Sequence, residues 1–361
     1  MMRRNILFVC LLIDVMTLIT AGAELPNAGN RDFNEGFGRF FTFEKEVTLS
    51  QKNNLIGRVR KLSIGLDGYF WILDSKLVKI NQYTQSGEFV SSVGRKGQGP
   101  GEFMLPADFF IGKEAIYVVD PLARKLHIFS LNWDFKYFFY IEDGRMVREG
   151  QNGEIIVAAP LLLDDKNKNS ACIQVYDRKG KRLRSFFPVD ENAVRQDLIS
   201  DGVHLELDRQ GNLFCMQEME YKIYHYTAKG NLIKTFSKPS THYIPPPTRV
   251  FKNKFLRSEA EKWLKSWTHV LDIKTGHDLV FVTTRFIKGT FEFGLDVYNK
   301  DGELIQGNLE TDYRLMDIDD RGSLYFINET SDPGGLDTSF KILVYSLKDK
   351  KMPANEKNKQ K

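Results

Sequence analysis

The chain has 361 residues, 42% of them apolar and 27% charged, with a formal net charge of +4. That supplies a full globular core and excludes a chain kept unfolded by its composition. The small basic excess sits largely in Lys348, Lys350, Lys351, Lys357, Lys359 and Lys361. Basic residues are not gathered elsewhere, so no nucleic-acid partner is expected.

Arg3 and Arg4 precede an apolar stretch from Ile6 to Ile19, and Ala21-Gly22-Ala23 follows. A charged start, a short apolar run and small residues describe a cleavable export signal over 1–23. The mature chain is expected from Glu24 onward, in the periplasm, the cell envelope or outside the cell. Membrane contact is expected only through an uncleaved signal segment. Cys172 and Cys215 are then the remaining cysteines. They fall on predicted strands of neighbouring repeats and are expected as buried free thiols rather than a disulfide framework.

Next comes an unassigned strand, Phe41 to Leu49. Beyond it an aromatic closes a strand six times, at Tyr83, Phe129, Tyr176, Tyr226, Tyr298 and Tyr345. The steps are about 46 to 50 residues, with one of about 72, the range of propeller blades. In the first repeat, Val59 to Gly65, Tyr69 to Leu73, Leu77 to Tyr83 and Glu88 to Val93 read as four strands. Gly and Asp at the turns supply the backbone freedom that antiparallel connections need. The second strands are near-continuous apolar runs such as Ile116-Tyr117-Val118-Val119, as expected of strands covered on both faces.

The last repeat lacks a fourth strand, because Lys348 to Lys351 is all charge. Pairing it with the strand at about 41–50 closes the ring and removes the exposed edges. The expected architecture is an all-β, six-bladed propeller of four-stranded blades over 24–347, with a basic disordered tail at 348–361. A helical insertion at about 239–266 explains the long step; Ser258 to Leu264 reads as its helix. Its aromatics Phe251, Phe255, Trp263 and Trp267 are candidates for a partner surface, being costly to expose alone.

The segment Val93-Gly94-Arg95-Lys96-Gly97-Gln98-Gly99-Pro100-Gly101-Glu102-Phe103, then Leu105-Pro106, then Ile116 to Asp120, then Arg124-Lys125 before Phe129, resembles an NHL repeat. The other copies keep only the strand–turn framework. The resemblance implies a six-bladed propeller of the exported bacterial type and no particular activity.

In a propeller the first strand of each blade lines the axis. Aligned on the turn that follows, these strands carry Ser63, Phe110, Arg148, Glu206, Asp272 and Asp317 at one position. Arg148, Glu206, Asp272 and Asp317 are the axial binding candidates. Carboxylates gathered this way either pair with Arg148 and water or hold an oxygen-seeking ion such as Ca²⁺. In the second case Glu206, Asp272 and Asp317 are the metal ligands of a hydrolase or lyase. The histidines show no zinc spacing, and no Gly-x-Ser-x-Gly elbow is present. The expected role is a protein- or carbohydrate-binding scaffold acting as a monomer. A calcium-dependent enzyme is the alternative.

Overall fold

In a computed structural model the described residues are 33–142, 144–159, 171–188, 202–218, 220–238, 243–247, 263, 265–286, 292–331 and 338–348. A short helix, Glu35–Phe40 (α1), leads into strand Phe41–Thr48 (β1). Blade 1 holds Val59–Ile64 (β2), Phe70–Asp74 (β3), Lys79–Tyr83 (β4) and Phe89–Val93 (β5). Blade 2 holds Asp108–Ile111 (β6), Ile116–Asp120 (β7), Lys125–Phe129 (β8) and Phe135–Tyr140 (β9). Blade 3 holds Met146–Glu149 (β10), Ile155–Ala158 (β11), Ala171–Tyr176 (β12) and Arg182–Pro188 (β13). Blade 4 holds Val203–Leu207 (β14), Leu213–Gln217 (β15), Glu220–Tyr226 (β16) and Leu232–Phe236 (β17). Blade 5 holds His269–Gly276 (β18), Leu279–Arg285 (β19), Phe293–Asn299 (β20) and Leu304–Thr311 (β21). Blade 6 holds Arg314–Ile318 (β22), Leu324–Ser331 (β23) and Thr338–Leu347 (β24).

Six four-stranded antiparallel sheets result, and the sixth has the order β1-β24-β23-β22. Phe41 pairs with Leu347 and Thr48 with Lys341, so the N-terminal strand completes the last blade. The junction continues to blade 1, where Ser50 N donates to Gly87 O at 2.8 Å. Gly87 has φ +87°, and a Cβ there would lie 2.1 Å from the Thr48 carbonyl oxygen. Only glycine fits that turn.

The core is divided among the interfaces between blades. Between blades 5 and 6, for example, Leu279 and Phe281 pack against Leu324 and Phe326. Leu213 and Cys215 of blade 4 meet Ile156, Ala158 and Cys172 of blade 3. Both cysteines are buried and free. Each fully buried side chain of Leu or Phe size contributes about 1.5–3 kcal/mol. Helix α1 adds to one of these interfaces. The Asn34 side chain accepts from Phe37 N at 3.1 Å to cap it, and Phe37 sits in the cluster of blades 5 and 6.

Two buried carboxylates at the ends of second strands fasten the loops between blades. Asp74 accepts from Gly57 N (2.7 Å), Arg58 N (3.2 Å), Lys76 N (3.0 Å) and Leu77 N (2.9 Å). Asp120 accepts from Met104 N (2.5 Å), Leu105 N (3.0 Å) and Ala123 N (3.2 Å). The charge on each is spent on backbone N–H groups that no ladder satisfies.

Strand direction alternates, so the two faces of the ring differ. One face carries the tight turns between first and second strands. The connections between blades, and those between second and third strands, leave from the other, called here the long-loop face. Among the described residues no helix is long and apolar enough to cross a membrane.

Candidate axial site

The first strands β2, β6, β10, β14, β18 and β22 stand around the axis. Three of them are bulged just before a charged residue: β2 at Val59/Lys61, β18 at Val270/Asp272 and β22 at Leu315/Asp317. A bulge re-aims the side chain beside it, and here it turns charge toward the axis.

One charged side chain from each blade then forms a ring of alternating sign: Lys61, Asp108, Arg148, Glu206, Lys274 and Asp317. Lys61 Nζ lies 2.6 Å from Asp108. Arg148 donates to Asp108 at 2.9 Å and to both oxygens of Glu206 at 2.9 and 3.0 Å. Lys274 Nζ lies 3.5 Å from Glu206 and 2.9 Å from Asp272. Asp317 closes the circuit by accepting from Ile64 N of blade 1 at 3.0 Å. Arg148 is only 2% exposed at its side chain, so these are interior ion pairs and removal of one partner is costly.

Electrostatics follow the geometry. Burial opposes ionisation of Asp108 and Glu206. Lys61 and Arg148 overrule it for Asp108, and Arg148 and Lys274 overrule it for Glu206, so both carboxyls stay below their ordinary range. Burial also works against Asp272, but Lys274, His204 and Arg314 hold it at about 2. Asp317 goes the other way. Burial raises it and the more distant Lys274 and Lys61 only partly offset that. A ring so compensated fixes the blades around the axis.

The four axial residues named from sequence stand in two layers. Arg148, Glu206 and Asp317 share a level with Ser63 and Phe110, but on blade 5 that level belongs to Lys274, and Asp272 stands two residues toward the long-loop face. The cause is the β18–β19 hairpin. Gly276 pairs directly with Leu279, leaving a two-residue turn in which His277 and Asp278 have φ 51° and 61°. Blade 1 spends five residues, Gly65 to Tyr69, between the paired Ile64 and Phe70. Lys61, Asp108 and Lys274 were missed in sequence. Lys61 and Asp108 lie two residues before Ser63 and Phe110 and so share their face; Lys274 lies two after Asp272 and shares its face. Extending the aligned position by one period along each strand would have found them.

Calcium does not fit this arrangement. Among the described residues no three His, Cys, Asp or Glu groups gather as metal ligands. The Lys274 ammonium stands between Glu206 and Asp272, where an ion bridging them would have to sit.

Toward the long-loop face, in the same layer as Lys61 and Asp108, are His204, Asp272 and Arg314 of blades 4, 5 and 6. His269 contacts Glu218 at 2.7 Å and stacks on Trp267 at 3.8 Å. Trp267 in turn packs on Trp263 at 5.2 Å. Both tryptophans are buried, at 1% and 5% exposure, so the expectation of exposed aromatics is corrected for these two. Packing against each other and His269 removes them from water. Phe251, Phe255 and the helix expected over Ser258 to Leu264, apart from Trp263, lie outside the described residues.

Fold and axis together define a six-bladed β-propeller whose channel is lined by compensated charge. The chain belongs to the family described as a domain of unknown function, DUF4934, whose model matches residues 50–353. No curated protein matches it. Among solved structures it is similar to a Bacteroides fragilis NCTC 9343 protein described as exported, with TM-score 0.62 and 15% identity over 89% of this chain and 98% of that one. A DUF4221-family member from Bacteroides vulgatus also scores 0.62, at 11% identity over 89% and 100%. Virginiamycin B lyase from Staphylococcus aureus scores 0.51, at 14% identity over 85% and 99%. At these identities the likeness is one of fold.

Proposed function

We propose that this chain is an exported binding module that meets a protein or carbohydrate partner on its long-loop face, around the axis. The observation that carries this reading is the pairing of the axial carboxylates. Asp108, Glu206 and Asp272 each face a fixed cation, and Asp317 a backbone N–H. A hydrolase or lyase needs a carboxylate free to move a proton or to hold a metal, and Asp108, Glu206 and Asp272 are committed elsewhere. Export is supported by Arg3, Arg4 and the apolar stretch that follows them.

The test is calorimetric titration of the chain from Glu24 onward with acidic and neutral oligosaccharides and peptides, followed by mass spectrometry of the recovered ligand. Saturable binding of a ligand that comes back unchanged is expected. A ligand whose mass changes with time in the presence of the protein overturns the reading in favour of an enzyme.

A further inference from the structure

Arg314 and His204 stand apart from the pairing that characterises the rest of the axis. Arg314 opens β22, and its Nε is buried without a hydrogen-bond partner among the described residues. Its nearest opposite charge is Asp272, which Lys274 already holds at 2.9 Å. Arg285 adds a second positive charge close by, although its own guanidinium is paired with Glu292 at 2.8 Å. His204, on β14, also has a buried Nε2 without a partner among the described residues. It lies close enough to feel Asp272, Glu218, Arg314 and Lys274. The two side chains come from the first strands that flank β18, and both act on Asp272 of that strand.

The Arg314 guanidinium carries a desolvation cost that Asp272, already shared with Lys274, offsets only in part. The planar fork of arginine is matched by an oxyanion, and a carboxylate accepts from it in parallel. His204 Nε2, in the tautomer that carries its proton there, is a second buried donor. First strands begin at the long-loop face and Arg314 is the first residue of β22, so the approach to these groups is from that face.

We propose that Arg314 and His204 form a seat for one carboxylate of the ligand, entered from the long-loop face of the axis. This rests on the binding-module reading and narrows it. The ligand class is a small molecule or chain end bearing an acidic group, of which a uronic acid is the carbohydrate form and an acidic side chain the peptide form.

Binding of galacturonate, N-acetylaspartate and neutral galactose is measured by calorimetry on the chain from Glu24 onward, with Arg314→Gln, His204→Phe and, as an exposed control, Arg321→Gln. At least one of the two acids is expected to bind and galactose is not. Arg314→Gln is expected to weaken the acid about tenfold or more, His204→Phe by less, and Arg321→Gln not at all. Whichever acid binds identifies the source of the carboxylate. Equal binding by Arg314→Gln, confirmed as folded by circular dichroism, overturns the seat, as does failure of both acids to bind. Should neutral ligands alone bind and come back unchanged, the seat falls while the binding module stands. Should an acid bind and be converted, the module reading falls while the seat stands.

Discussion

Arg148 donates in parallel to both carboxylate oxygens of Glu206, at 2.9 and 3.0 Å, and so ties blade 3 to blade 4 at the axis. Its Nη1 donates to Asp108 and to Val147 O at 2.9 and 2.7 Å. Replacing Arg148 by Met removes the hydrogen-bonded cation from two buried carboxylates and is expected to cost about 3–5 kcal/mol. Adding Glu206→Met should restore part of that loss, because Asp108 keeps Lys61. Urea unfolding of both singles and the double gives the coupling; strictly additive losses would contradict the pairing.

Calcium should leave the axis indifferent. Native-state binding stabilises by RT ln(1 + [L]/Kd), about 2.7 kcal/mol at a hundredfold excess. The unfolding midpoint in millimolar Ca²⁺ is expected to equal that in EDTA. A rise abolished by Asp272→Asn would instead show that a metal displaces Lys274.

Asp120 satisfies three backbone N–H groups in and beside the glycine-rich connection between blades 1 and 2. Asp120→Ala is expected to cost about 2–4 kcal/mol, since buried donors lose their acceptor. Asp120→Asn keeps one acceptor oxygen and should cost less. Hydrogen exchange at Met104 and Leu105 locates the effect: their protection should fall before that of β7.

His127 is a buried imidazole among Phe103, Phe129, Phe135 and Phe138. Burial depresses it, with Lys125 adding slightly and Asp120 opposing, to about 4. Its folded value lies below its unfolded value, so the folded state stays neutral while the unfolded chain takes up a proton below about pH 6.5. Stability therefore falls as pH drops through 6.5 toward 4, by about 2 kcal/mol between pH 7 and pH 5 from this group. His204 and His225 are depressed by burial too and act in the same direction. His127→Phe should flatten the acid limb of the urea midpoint and leave no polar atom unpaired.

The blade count and the closing strand were legible because the inter-blade core repeats: Tyr83, Phe129, Tyr176, Tyr226, Tyr298 and Tyr345 mark the same strand end each time. Axial register was harder to read. It depends on local backbone choices, and the two-residue turn at His277–Asp278 shifts the alignment of blade 5 without changing the apolar pattern. Helix α1 left a trace in Asn34 and Glu35, a cap and a first-turn acid, though six residues give little periodicity. The tryptophans of the insertion were misjudged because His269, which covers Trp267, sits on the next strand and not within the insertion.

The pairing of β1 with β24 also sets an order of assembly. Strand β1 is made before any blade, yet its partner Thr338–Leu347 is made after all the others. Until then an unpaired strand edge persists at the front of the chain, and the first blade has no sixth neighbour to lean on. Contacts that distant in sequence close late and slowly. A truncated or stalled chain lacking β24 should thus be no shorter propeller. It should be an open, adhesive intermediate that depends on holding factors or proteolysis.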